Sequence, residues 1–374
     1  MEIRRTPLYD QHVQLGGKMA EFAGWLMPLW YPTGQSAEHH ATRKACGLFD
    51  ICHMGEFEIR GKASLSFLSS MLTNRVDQIS PGQAMYNFML NEKGGVVDDC
   101  ILYCFDDEHW MLVVNAGNIQ GDFSWLSAHI SGDVIIENIS DRTGKIDLQG
   151  PGAPKLMTKW IERSVLENLR FFRFVQDIDM DGVPVLVSRT GYTGEIGFEL
   201  YMDAEHVADT WNLLLKEGNA SGLLPCGLGA RDTLRTEAGL PLYGHELHSD
   251  RPAIGHPWPF AIFWDKSFIG RDALLRKKEK GIDSYVFPFR MNGKRKALPG
   301  WEVVKDGVIG SVLSGVISPS LDNTPIGFLS SSKPLETGME VKFRKSGEEQ
   351  GLDGVIDELP FVASTSRKKM SQFV

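Results

Sequence analysis

Arg189-Thr190-Gly191-Tyr192-Thr193-Gly194-Glu195-Ile196-Gly197-Phe198-Glu199-Leu200 runs from a glycine-punctuated turn into an alternating strand. Side chains two apart on a strand share a face, so Ile196, Phe198 and Leu200 make an apolar side and Glu195, Gly197 and Glu199 a polar one. Gly197 carries nothing to obstruct a flat ring lying beside Glu199. A carboxylate set among apolar neighbours is costly unless something bonds it. The layout suits one wall of a site for a flat polar ligand. The same residues also fit a surface hairpin with solvated glutamates, because half-exposed strands alternate in this way.

Working outward, 374 residues exceed what one small core organises, so two or three domains are expected. An apolar share of 42% with 23% charged residues belongs to a globular chain. No apolar run approaches the length of a membrane span, and the start, Met1-Glu2-Ile3-Arg4-Arg5-Thr6-Pro7, lacks the apolar stretch of a secretory signal. The five cysteines, Cys46, Cys52, Cys100, Cys104 and Cys226, are odd in number and contain no CxxC pair, which disfavours a disulfide framework and a thiolate zinc site. A reducing cytoplasm is the expected compartment. A net charge of −9 disfavours non-specific nucleic-acid binding. The basic runs Arg276-Lys277-Lys278, Lys294-Arg295-Lys296 and Arg367-Lys368-Lys369 read as solvated faces, or as local attraction for an anionic ligand tail or an acidic partner.

Strand-like and helix-like segments are mixed without strict alternation, which predicts an α+β fold with antiparallel sheets. Helices are expected over 36–45, 63–73, 204–216 and 231–239. Strands over 84–91, 96–105 and 110–115 make an antiparallel meander, with a further strand at 55–60. Beyond about residue 276 short strands separated by Gly, Ser, Pro and Asn predict a small β-rich domain over 276–374. The preceding core, 1–275, then has two lobes, the second including about 53–140.

Within the meander, Asp98 and Asp99 interrupt an apolar strand, where aspartate has poor propensity. Neighbours on a strand point oppositely, so at least one carboxylate faces an interior or a cleft, either paired with an arginine or serving a site. Hairpin register brings Tyr86 within a rung or two of Asp99, and Asn115 ends the next strand, so an aromatic ring, an amide and a carboxylate can converge. Arg231 follows Gly227-Leu228-Gly229-Ala230 near a helix entry and could clamp a carboxylate. A phosphate P-loop spacing is missing, and Gln149-Gly150-Pro151-Gly152-Ala153 is not a dinucleotide fingerprint. Glu38, His39 and His40 lack metal-ligand geometry on a helix, and His53 reads as a packed histidine.

Six blocks carry a resemblance: RTPLYDQHVQLGGKMAEFAGWLMPLWY (5–31), EHHATRKACGLFDICHMGEFEI (38–59), MLNEKGGVVDDCILY (89–103), RTGYTGEIGFEL (189–200), GLGARDTLRTEAGLPLYGHEL (227–247) and IGSVLSGVISPSL (309–321). In this order they are similar to the aminomethyltransferases, the T-proteins of the glycine cleavage system, within a folate-dependent superfamily. The resemblance implies a three-domain cloverleaf whose centre holds tetrahydrofolate, with no metal. It implies lipoylated H-protein as partner, and neither nucleic acid nor membrane. By motif, Asp99 would be the catalytic carboxylate beside the reacting folate nitrogens. Glu199 would bond the pterin's donor edge, Tyr86, Asn115 and Tyr192 would line its slot, and Arg231 would anchor the ligand's anionic end or orient neighbouring groups.

Three departures stand out: Cys52 where the family usually has serine, a small change, and, near the expected donor side, Pro252 to Phe260 in place of a Glu-Ala-Gly-Leu segment and Leu298-Pro299 where arginine is common. They keep open a tetrahydrofolate-dependent demethylase acting on a methylated sulfur, nitrogen or oxygen compound. A folate-binding iron–sulfur maturation protein ranks third, because the cysteine motif of that branch is missing.

Overall fold

The structure, a computed structural model, describes residues 3–374. Its first large sheet is the expected meander with two additions. The order is Gln83–Leu90, Val96–Cys104, His109–Val114, Gly55–Arg60 and Ile135–Asn138, with every neighbouring pair antiparallel. Asn91 closes the first turn, its Oδ1 accepting the amides of Lys93 and Gly95 at 3.0 Å each, while Gly94 adopts the φ of +82° that the turn requires. A bulge follows at once, since Met89 pairs with Asp98 but Leu90 pairs with Val96. Downstream of it, Asp98 shares a face with Cys100 and Leu102, in the core beneath helix Ile119–Ala128. Asp99 shares the opposite face with Ile101 and Tyr103, which pack toward the second sheet.

That second sheet runs Phe174–Met180, Val183–Ser188, Gly197–Asp203, Thr143–Gln149, Cys46–Asp50 and Leu223–Cys226, antiparallel except for its last pair. Phe198, Leu200 and Met202 bury one side against Trp211 and Leu214 of helix Val207–Gly218, as the alternation predicts. The opposite side is not solvated: Glu199 is 3% exposed, and Tyr201 packs against Tyr103 of the first sheet. The two large sheets therefore present polar residues to each other, and the surface-hairpin reading fails.

A small three-stranded sheet, Arg4–Arg5, Trp25–Trp30 and Lys18–Phe22, adjoins them, and a closed barrel of six strands occupies Tyr285–Ile356. The α+β class with antiparallel sheets and a β-rich C-terminal part holds. Two of the expected helices, 36–45 and 63–73, shift by one or two residues, to Gln35–Lys44 and Ser64–Met71, and the other two shift further. Ala204–His206 is a single 3-10 turn before the α-helix, and the helix expected over 231–239 spans Leu228–Glu237. The earlier start has a non-local cause: Glu38 Oε2 accepts the Gly227 amide at 2.9 Å while Oε1 accepts that of Tyr31 at 2.5 Å, pinning extended Gly227 at the helix entry.

Glu237 and Glu246 join the core to the barrel. Glu237 accepts from Arg43 and from Ser318 and the Ser320 amide of the barrel, and Glu246 pairs with Arg235 at 2.8 Å and accepts from barrel Ser314. The five cysteines are buried and unbridged, and among the described residues no helix is long and apolar enough to cross a membrane.

Candidate active site

The Asp99 carboxyl lies on the inter-sheet face of the meander. Tyr86 stands opposite Ile101, one diagonal step from Asp99, and its hydroxyl donates to Asp99 Oδ2 at 2.9 Å. Asn115, just past the third strand, donates through Nδ2 to Asp99 Oδ1 at 3.0 Å and to Asp98 Oδ1 at 2.8 Å. Among the described residues no arginine pairs with either aspartate; side-chain and backbone amides hold Asp98, and the Asn115 amide and the Tyr86 phenol hold Asp99. Burial, aided by the charge of Asp98, raises the Asp99 pKa to about 7, against the opposing pull of the Tyr86 and Asn115 bonds. A carboxyl so placed can carry or release a proton near neutrality.

The facing wall is built on the second sheet. Glu199 Oε2 accepts from Thr190 at 2.7 Å, Tyr201 at 3.1 Å and Tyr103 at 3.3 Å, and Lys145 Nζ stands 3.9 Å away. All these contacts fall on one oxygen. Burial opposes the charge on Glu199, but Lys145 and the Thr190 bond outweigh it, so the pKa is lowered and the group is ionised. Its cross-strand neighbour Asp147 is bonded by Arg231 Nη1 at 3.0 Å. Arg231 lies over the ring of Tyr192, 4.8 Å from its centroid, and the Tyr192 hydroxyl donates to the Pro241 carbonyl. Burial raises the phenols of both Tyr192 and Tyr86, and the Asp99 charge raises each further, so one carboxyl acts on residues of both walls.

All six residues singled out in the sequence, Tyr86, Asp99, Asn115, Tyr192, Glu199 and Arg231, thus gather in one region. Two expectations about the opening stretch change. The space over Gly197 is filled by Gln149: a Cβ on Gly197 would lie 2.6 Å from that side chain. Gln149 is held there by donating to the Thr190 carbonyl at 3.1 Å and accepting from Thr193 at 2.7 Å. Glu195 turns away from the site into an ion pair with Arg43 at 2.8 Å. Arg231 is engaged through one nitrogen, so the bidentate clamp is not formed. Both ring nitrogens of His39 are taken by Thr233 at 2.7 Å and Ser320 at 2.9 Å, which gives it a packing role.

Several site residues escape the sequence reading. Lys145, Asp147 and Gln149 alternate with Ile146 and Leu148, the same signal as the opening stretch, and all five are buried. Glu56 and His53 also turn inward. His53 Nδ1, Glu56 Oε1 and Asp147 Oδ1 are buried without a hydrogen-bond partner. Such atoms are rare and call for an occupant. Burial lowers the His53 pKa to about 4 and raises that of Glu56 to about 8, so near neutrality the first is a neutral imidazole and the second a carboxylic acid. Asp147 is raised to about 7, again by burial, with Arg231 opposing. The second sheet therefore offers fixed donors and acceptors around one ionised carboxylate.

Comparison with known proteins assigns the class of protein that this fold of two facing sheets and a C-terminal barrel belongs to, a transferase. The family model described as the GCVT N-terminal domain matches residues 8–266. The chain is 44% identical to the aminomethyltransferase of Anoxybacillus flavithermus, covering 91% of this chain and 95% of that one. It is 42% identical to that of Caldanaerobacter subterraneus subsp. tengcongensis, covering 91% of each. The crystal structure of the glycine cleavage system aminomethyltransferase T from Bartonella henselae superposes with a TM-score of 0.89 at 31% identity, covering 98% of this chain and all of that one. The chain belongs to the aminomethyltransferase family.

Proposed function

We propose that this enzyme moves the methylene of an aminomethyl group from the lipoyl arm of H-protein to tetrahydrofolate, releasing ammonia and the dihydrolipoyl thiol. In this exchange the carbon–sulfur and carbon–nitrogen bonds of the donor break and two carbon–nitrogen bonds to folate form. The protons leaving the two folate nitrogens end on the departing amine and sulfur. The net reaction neither consumes nor yields a proton, but it relocates two. A group beside the folate nitrogens that alternately takes and returns a proton near neutrality is what the step needs, and the placement of Asp99 carries this reading.

The pterin would lie between the sheets. Asp99 and Tyr103 share a strand face four residues apart, roughly 13 Å along the backbone, and Tyr103 touches Glu199. A bicyclic ring with one edge on the Glu199 carboxylate can thus present its reacting side to Asp99. The partnerless atoms of Glu56, His53 and Asp147 supply further contacts for a ring that bears both donors and acceptors. Arg231, held by Asp147 and laid on Tyr192, orients this wall. No step here requires a metal or a redox group, since positioning and one carboxyl supply what the exchange uses.

One observation keeps a second donor in view. The divergent segment Pro252 to Phe260 sets the exposed Phe260 ring 5.9 Å from that of Tyr86, and His256 5.4 Å from Phe88 on the same strand. A demethylase reading places a methylated small molecule there. Steady-state assays with tetrahydrofolate and either aminomethylated H-protein or a methylated amine separate the two. Ammonia released with the first donor alone supports aminomethyl transfer; folate turnover with the methylated amine alone replaces it.

A further inference from the structure

Behind Asp99, on the other face of the same strand, stands a buried carboxyl pair outside the inter-sheet site. Asp98 is fully buried and saturated with donors: Asn115 N at 2.9 Å on Oδ2, Asn115 Nδ2 at 2.8 Å and Asn118 Nδ2 at 2.9 Å on Oδ1. Asp122, on the first turn of helix Ile119–Ala128, is 1% exposed and reaches hydrogen-bonding range of Asp98, and its Oδ2 has no donor among the described residues. Two carboxyls this close and this dry cannot both be ionised, and one proton between them relieves the conflict.

The donors decide which of the two holds it. Three N–H groups converge on Asp98 and stabilise its anion, while Asp122 has none to stabilise its own. Among the described residues, Asp99 and Cys100 of the Asp98 strand and Tyr243 from the loop after residue 240 are the other titratable groups close enough to act on the pair. None of these is a cation, so a proton is the neutralising charge.

We propose that Asp122 keeps this proton and donates a hydrogen bond through it to Asp98, so that Asp98 stays ionised and, through the shared amide of Asn115, sets the orientation and protonation of the Asp99 carboxyl. Asp98 and Asp122 are then positioning residues. This rests on reading Asp99 as the reacting carboxyl. Burial and the charge of Asp98 drive the Asp122 pKa far up, which agrees with a proton held there through neutrality. The same Asp98 charge is the second cause, after burial, of the raised Asp99.

Three variants test the arrangement. In Asp98→Asn the charge behind Asp99 is gone, so the acid limb of kcat/KM should move down by about one pH unit, the scale of coupling between adjacent carboxyls. In Asp122→Ala, Asp98 loses its donor and takes up a proton itself, so the limb should move the same way. In Asp122→Asn the side-chain amide replaces the lost O–H donor, and the limb should stay where the parent has it. A purely structural role lowers the folded yield of these variants without moving the limb. An unmoved limb in folded Asp98→Asn and Asp122→Ala overturns the proposal.

Carbon-13 titration of the aspartate carboxyls reads the coupling without turnover. It should show Asp122 protonated at pH 7 and a lowered Asp99 pKa in Asp98→Asn; an ionised Asp122 refutes the proposal. If Asp99→Asn retains full activity while these titrations behave as stated, the reading of Asp99 fails and the coupling stands.

Discussion

Replacing Asp99 by asparagine removes its ability to exchange a proton while nearly preserving its shape. In the parent, the carboxyl accepts the Tyr86 hydroxyl at 2.9 Å and the Asn115 amide at 3.0 Å. An asparagine can accept only one of the two, which costs about 1 kcal/mol for the lost bond. That is too little to unfold the protein, and it acts on ligand-free and folate-bound enzyme alike. The lost proton transfer is larger, about 100- to 10,000-fold in turnover. Turnover with aminomethylated H-protein should therefore fall by at least 100-fold, while tetrahydrofolate affinity, measured by calorimetry, changes only a few-fold. Turnover within threefold of the parent, or a loss confined to affinity, refutes the assignment of Asp99.

Glu199→Gln should behave in the opposite way. It removes the charge opposite Lys145 and one charge-assisted bond to the ligand, so folate binding should weaken about 10- to 100-fold by calorimetry; unchanged binding takes Glu199 out of the pocket. The ligand-free protein should lose stability as pH rises from 5.5 to 8. Asp99, Asp147 and Glu56 have folded pKa values raised to about 7, 7 and 8, so the folded state keeps protons that the unfolded chain has released across that window. Scanning calorimetry should show a lower thermal midpoint at pH 8 than at 5.5, and a rising midpoint contradicts the assigned burial. Glu237 carries the reverse sign at lower pH. Against the effect of burial, the bonds and charges of His39 and Arg43 hold its pKa down to about 2, so its contribution is present above its ordinary range and fades as pH falls from about 4.5 toward 2. Glu237→Gln, which leaves Arg43 and His39 without that charge, should cost about 3 kcal/mol and loosen the barrel, read as faster proteolysis between residues 239 and 285; parent-like proteolysis and midpoint would show that the network carries no load.

The fold was most legible where a short-range period met a one-sided environment. Ile196, Phe198 and Leu200 announced a core face, and the Asn91 turn announced a hairpin whose register placed Tyr86 near Asp99. What escaped was set by distant partners. Gly197 looks open in the sequence, but Gln149 fills its space from the adjacent strand. Glu195 has the same pattern as Glu199, yet Arg43 draws it elsewhere. The helix carrying Arg231 begins three residues early because Glu38, far back in the chain, holds the Gly227 amide. Asp98 is recognisable as buried from its apolar strand, whereas its partner Asp122 sits on an unremarkable amphipathic turn that only the packing of helix on sheet brings near. Lys145 and Asp147 are an intermediate case, since their alternation with Ile146 and Leu148 was readable and pointed to the same polar wall.

The central claim is that the carbon on the H-protein arm passes to folate at this site. A single turnover with the methylene of the aminomethyl group labelled with carbon-13, followed by carbon-13 NMR, tests it most directly. The label should leave the sulfur and appear in methylene-tetrahydrofolate with one equivalent of ammonia, only when tetrahydrofolate is present and not with Asp99→Asn on the same time scale. A label that stays on the lipoyl arm, or leaves it equally fast without folate, contradicts it.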